Sequence, residues 1–281
     1  MTEAEERTRA DAQAAGKPHH RGRIALAVAL ALLAALVIGM AAYFGDYYHA
    51  VDVDGYLDGS VAVAATSDDD AAAAGADASA GASAVAVGEI DGGWLFDGPG
   101  EGTALIFYPG AKVEASAYAP LMYELAQEGV DCFLLRMPLR FAIFDADAAL
   151  DVVDAYGADY DSWILSGHSL GGAMAASCAA ANPGTFDGLV LLAAYSTESL
   201  ADDDLWLLSL YGSEDGVLSM DKVVAGRDLA PEDYEEICIE GGNHALFGSY
   251  GAQDGDGEAS ITPEEQRQAV IDAVTSRIAE G

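Results

Sequence analysis

Residues 162–181 constrain the fold more than any other stretch of the chain. Ser162–Leu165 is a short apolar run, SWIL, and Leu170–Ala181 is an Ala-rich helical run. Between them stands Gly167-His168-Ser169-Leu170-Gly171-Gly172. The pattern is G-x-S-x-G placed between a strand and a helix, the context in which it forms a nucleophile turn. The reason is steric. The turn closes only if the residues two positions before and after the serine are small, and closing it pushes the Ser169 hydroxyl out above the sheet. The helix N-terminus beneath the turn favours negative charge there.

A serine at such a turn needs a base, and five histidines are available. His19, His20 and His49 lie near the N-terminus, and His168 occupies the variable position of the turn. His244, in Gly241-Gly242-Asn243-His244 after the last apolar run, is the candidate base. Loops at the carboxyl ends of parallel strands are where open α/β sheets build sites. The candidate acid is Asp215, in Tyr211-Gly212-Ser213-Glu214-Asp215 after the run LWLLSLY, with Glu214 adjacent. A carboxylate there holds an imidazole in one tautomer and stabilises its cation. Stabilising an oxyanion takes two backbone N–H groups. The candidates are Leu170, next to the serine, and Ala111, in the loop Tyr108-Pro109-Gly110-Ala111-Lys112 that follows the run ALIFY.

Apolar runs alternate with helical patterns from residue 85 onward. Strands are expected at 85–90, 94–96, 104–108, 130–135, 162–165, 189–193, 205–211 and 234–239. Helices are expected at 117–127, 145–155, 170–181 and 263–278. Continuous apolar strands separated by helices indicate an α/β fold, a doubly wound and mostly parallel sheet covered on both faces. Only about a dozen residues separate the strands at 189–193 and 205–211, too few for an inserted cap domain. Lys112, Tyr195, Phe247 and Tyr250 are the candidate substrate-binding residues. Lys112 is set either to pair with Glu114 or to meet an anionic group of the substrate.

A second feature divides the chain. Ile24–Phe44 is 21 residues without a charge, about 31 Å as a helix and so about the thickness of a bilayer core. Core helices of this length carry a polar face, and the apolar region of a cleaved signal peptide is shorter. One transmembrane helix is therefore expected ahead of the α/β domain. Arg21 and Arg23 precede it and Asp46 follows, so the N-terminus is expected in the cytoplasm and the rest outside, a single-pass protein of the cell membrane. Tyr43, Phe44, Tyr47 and Tyr48 are expected as an aromatic belt. The expected order is a cytoplasmic tail at 1–23, the anchor at 24–44, a flexible acidic and Ala-rich stretch at 45–84, and the catalytic domain at 85–281.

The charge follows this division. The whole chain carries -35, but its first 23 residues sum to +1 and the remainder to -36. So acidic a chain is no nucleic-acid binder, since neutralising phosphate takes clustered Lys and Arg. Cys132, Cys178 and Cys238 are widely spaced within apolar runs and are expected to be buried small hydrophobes. No His/Cys cluster has metal-ligand spacing, and no cofactor is implied.

The segments LIFYPGAKV, GHSLGGAMAA, LVLLAAY, LYGSEDGV and IEGGNHALFGSYG together resemble the α/β-hydrolases, near the compact dienelactone-hydrolase-like group also labelled α/β-hydrolase fold-5. The resemblance implies Ser169 as nucleophile, Asp215 as acid, His244 as base, and Ala111 and Leu170 as oxyanion donors. It departs from dienelactone hydrolases in having a serine where they use a cysteine. It implies hydrolysis of a small ester-like substrate, whether a carboxylic ester, a lactone or a thioester. Amide or peptide cleavage, or acyl transfer to an acceptor other than water, needs the same residues. A silent surface binding module is the reading from another class, and the three filled triad positions count against it.

Overall fold

The computed structural model describes residues 19–58, 85–100 and 102–280. The expected cytoplasmic tail up to residue 18 and the biased stretch 59–84 lie outside them. The chain divides into two compact units, with the second beginning at Tyr47.

The first unit contains helix α1, His19–Gly45. Its Val28–Gly45 portion is long and apolar enough to cross a bilayer, and none of that portion is buried. A signal sequence near an N-terminus has the same properties.

The second unit is built on an eight-stranded sheet. Its strands are β1 (Ala86–Ile90), β2 (Gly93–Asp97), β3 (Gly102–Tyr108), β4 (Asp131–Leu135), β5 (Tyr160–His168), β6 (Gly188–Leu192), β7 (Trp206–Gly212) and β8 (Tyr234–Ile239). Their spatial order is β1-β2-β4-β3-β5-β6-β7-β8. β1 and β2 form the hairpin expected around Asp91-Gly92, and β2 pairs antiparallel with β4. The other pairs are parallel. The chain leaves β3 toward β4 on one side and returns to β5 on the other. The sheet therefore has its topological switch point between β3 and β5, where an open α/β sheet forms a crevice.

The two faces are read from β3 itself. Leu105 and Phe107 point into one core, and Ala104, Ile106 and Tyr108 into the other. Helices α3 (Ala119–Gln127) and α7 (Pro263–Glu280) cover the first face through Leu121, Met122, Leu125, Val270 and Val274. Helices α4 (Ala148–Tyr156) and α5 (Leu170–Ala181) cover the second through Ala149, Val152, Ala175, Ala176 and Ala179. Small residues on α5 let it lie close against the sheet. No helix interrupts the connection between β6 and β7, in keeping with the short spacing there.

Several expectations are corrected. Tyr47–Leu57 is not part of a free stretch but packs on the domain. Tyr48 pairs with Val113 as a short parallel bridge and stacks its ring 5.6 Å from Tyr250. The short helix α2 (Asp54–Leu57) brings Tyr56 against Tyr123. Tyr47 and Tyr48 thus serve domain packing, because aromatic rings beside a hydrophobic core gain more by burial there. β5 runs to His168, three residues past the apolar run, since Gly167 and His168 still pair with Leu191 and Leu192. α4 begins at Ala148 because 142–144 forms its own 3₁₀ turn. Helix α6 (Met220–Gly226) was not foreseen; it buries only Val223 and so leaves no periodic trace. Cys132 and Cys178 are buried as expected, but Cys238 is exposed, since β8 is an edge strand with one outward face.

Candidate active site

The nucleophile turn has the backbone its sequence demands. Ser169 sits at φ 54°, ψ -125°, a strained conformation for a residue with a side chain. Its N–H donates to the Leu192 carbonyl at 2.9 Å, and its carbonyl accepts the Ala173 N–H at 3.1 Å as the first turn of α5. Gly171 is there because nothing larger fits. A Cβ at that position would stand 2.2 Å from the Tyr108 carbonyl oxygen and 2.3 Å from that of Pro109. The same closeness sets the start of the loop after β3 against the first turn of α5.

That loop carries Ala111. Three neighbouring N–H groups are occupied: Gly110 donates to the Tyr118 hydroxyl at 3.1 Å, Lys112 to the Arg140 carbonyl at 3.0 Å, and Val113 to the Gly110 carbonyl at 3.3 Å. Among the described residues none accepts from Ala111 N–H. Leu170 is the first residue of α5, where an N–H has no acceptor within its own helix. Lys112 is half-buried at φ 59°, in a turn that presents the loop.

Asp215 and His244 are brought together from the ends of β7 and β8. His244 Nδ1 lies 2.9 Å from Asp215 Oδ2, with the two side chains only 2% and 3% exposed. The other carboxylate oxygen, Oδ1, accepts the N–H groups of Val217 and Leu218 at 2.9 and 2.7 Å, which fixes the plane of the carboxylate. Glu214, the adjacent candidate, is exposed. With Nδ1 engaged, His244 Nε2 is left buried and without a hydrogen bond.

Three further residues support this pair, and sequence reasoning missed each. Asp256 accepts the N–H groups of His244, Ala245 and Gly216 at 3.2, 2.8 and 3.1 Å, tying the loop of the base to that of the acid. Gln266 on α7 accepts the Asn243 N–H at 3.0 Å and donates to the Asn243 carbonyl at 2.9 Å. His168, set aside as the variable residue of the turn, is 1% exposed. Its ring lies 4.5 Å from that of His244, and its Nδ1 lies 2.8 Å from the Tyr118 hydroxyl that also holds Gly110. Burial, and then the neighbouring His244, push the His168 pKa well below its ordinary value, so it stays neutral. A histidine in an x position carries no pattern signal; only the packing exposes it.

Of the candidate substrate-binding residues, Phe247 and Tyr250 are buried core rings stacked behind His168, at 5.6 and 6.5 Å. They back the site and do not present an open wall. Tyr195 is half-buried and accepts a hydrogen bond from Lys222 Nζ at 3.0 Å. Glu114 is engaged by the Ala50 N–H at 3.1 Å and His49 Nδ1 at 3.5 Å. Among the described residues no three His, Cys, Asp or Glu side chains are grouped to hold a metal ion. The Cys132 thiol is held well above its usual range by burial.

A strained serine between two glycines at the switch point of such a sheet, with an acid–histidine pair beyond it, defines the architecture of an α/β hydrolase. A model of the alpha/beta hydrolase family matches residues 104–268. The chain belongs to this family and is a hydrolase. The fold is also that of solved structures. A predicted CIB-like hydrolase from Thermoplasma acidophilum superposes with a TM-score of 0.53 at 14% identity, over 68% of this chain and 99% of that one. An α/β hydrolase from the metagenome of sediments from the Mar Chica lagoon, Morocco, gives 0.52 at 17% identity, over 68% and 99%. No curated protein sequence matches the chain.

Proposed function

We propose that this protein is a membrane-anchored serine hydrolase whose catalytic domain lies outside the cytoplasm and cleaves an ester-like bond. The observation that carries the reading is the buried His244–Asp215 contact at 2.9 Å, which aims an unoccupied Nε2 away from the carboxylate at the same edge of the sheet as Ser169. Rotation of the serine hydroxyl toward Nε2 gives the base its proton. The Ser169 oxygen then bonds to the substrate carbonyl carbon, and the resulting oxyanion takes the N–H groups of Ala111 and Leu170. His244 returns the proton to the leaving oxygen as the ester C–O bond breaks. Water, deprotonated by the same nitrogen, releases the acid and restores the serine. Asp215 holds His244 in one tautomer throughout. The anchor reading is supported by the uncharged length of Ile24–Phe44 and the arginines before it.

The full chain, in detergent, should hydrolyse short-chain 4-nitrophenyl esters. Ser169→Ala should lower kcat by about 10³-fold or more, with the fold unchanged by circular dichroism. Turnover that survives the substitution would refute the assignment. Release of a transferred acyl product in place of free acid would favour acyltransfer on the same residues.

A further inference from the structure

The seven basic residues after position 23 are scarce in a region of charge -36, and they are not evenly spread. Three of them, Lys112, Arg136 and Arg140, lie on the loops that follow β3 and β4, where Glu114, Asp145 and Asp147 offset them and Arg136 pairs with Glu89. The same rim is apolar. Among the described residues of the domain, seven large apolar side chains are more than a third exposed. Leu139, Ile143 and Phe144, at 53%, 58% and 55%, all lie on the loop after β4, and Val51, at 49%, stands in the neighbouring N-terminal segment. Leu139 and Arg140 both have positive φ, 51° and 63°, in the turn that turns this loop outward.

The N-terminal segment is fastened to this rim. The Arg140 guanidinium lies 3.3 Å from the centre of the Tyr47 ring. Tyr48 donates its N–H to the Lys112 carbonyl at 2.7 Å and accepts from Glu114 N–H at 2.9 Å. The apolar helix ends at Gly45, and two residues of chain reach about 7 Å at most. A cavity of about 690 Å³ adjoins the rim. Its walls include Val53 and Leu57 of the N-terminal segment, Leu139 and Arg140 of the β4 loop, and Pro109, two residues before the oxyanion donor Ala111.

We propose that this rim seats on the surface of the bilayer that holds the anchor, and that the adjoining cavity receives an acyl ester directly from that bilayer. The inference rests on the reading of an anchored serine hydrolase and names its substrate class: a lipid-borne ester. Exposed Leu139, Ile143 and Phe144 enter the interface. Tyr47, two residues after the end of the apolar helix, belongs to this rim.

The test uses the full chain in vesicles of phosphatidylcholine with phosphatidylglycerol. Turnover is measured on a long-chain ester dissolved in the bilayer and on a short-chain water-soluble ester. Two variants are compared with wild type: I143S/F144S, and an insertion of a twelve-residue Gly/Ser linker between Asp46 and Tyr47. Both should lose at least tenfold in kcat/KM on the bilayer-borne ester while staying within twofold on the soluble one. Unchanged turnover of the bilayer-borne ester, or an equal fall on both esters, overturns the proposal. Ser169→Ala serves as the separate check: soluble-ester turnover that survives it refutes the serine reading itself.

Discussion

Tyr118 is the residue on which the two halves of the site converge. Its hydroxyl is fully buried, accepts from the N–H of Gly110 and stands 2.8 Å from His168 Nδ1. Burial holds this phenol above its ordinary range, so it remains a neutral O–H that accepts from one side and donates to the other. Removing it leaves a buried N–H and a buried imidazole nitrogen unpaired, a cost of about 1–3 kcal/mol each way. Tyr118→Phe is expected to fold with a lowered Tm, and to lose about tenfold in kcat with little change in KM. The reason is the proposed oxyanion role of the loop presenting Ala111, which would act on the transition state more than on bound substrate. Steady-state kinetics on a soluble ester checks this; a change confined to KM would contradict it.

At the scale of elements, the junction of β5, α5 and the loop after β3 sets what the chain tolerates. Gly171→Ala places a Cβ against two backbone oxygens at 2.2 and 2.3 Å, and backbone cannot step aside as a side-chain tip does. The variant is expected to lose activity by more than 10²-fold and at least 3 kcal/mol of stability, read by urea unfolding alongside ester turnover. A stable, active Gly171→Ala would show that the loop does not lie where the structure has it.

This junction was legible in the sequence because its constraint is local: a glycine spacing and two flanking apolar runs. The parallel strands were legible for the same reason, since burial on both faces leaves continuous apolar runs. What escaped depends on contacts far apart in the chain. Asp256 reaches His244 across 12 residues, and Tyr48 reaches the loop of Lys112 across 64. Neither separation leaves a pattern, so Tyr47–Leu57 falls within the expected flexible stretch and Asp256 draws no expectation. Helix α6, too short to show a period, was missed for a related reason.

At the scale of the whole molecule, the acidic excess and the neutral core histidine act in different pH ranges. His168 is held neutral in the folded protein, its pKa well below that of the unfolded chain. Between those two values the unfolded state binds one proton more. Stability is therefore intact above about pH 6.5 and falls as pH drops below it, by about 1.4 kcal/mol per unit. Glu236 is a carboxylate case of the same sign, in a lower pH range. The Arg227 guanidinium bonded to it holds its pKa down at about 2, so its contribution is lost only as pH falls below about 4.5. The interval from about pH 5 to 6.5 separates the histidine from Glu236. Urea midpoints of the detergent-solubilised chain should fall across it in wild type and stay flat in His168→Gln. Equal slopes in the two proteins would show that His168 is not the neutral group.

The same division by charge separates a short basic N-terminus and an uncharged helix from an acidic enzyme, whose few basic residues gather partly on one rim. The proposed orientation at the membrane follows from the exposed Leu139, Ile143 and Phe144 on that rim. The proposed chemistry follows from Ser169. The measurement that reaches it most directly is reaction of the full chain with a fluorophosphonate probe, followed by mapping of the modified peptide. The adduct should sit on Ser169, disappear in Ser169→Ala and form at least 10²-fold more slowly in His244→Gln. An adduct at any other residue, or labelling that persists in Ser169→Ala, would contradict the account.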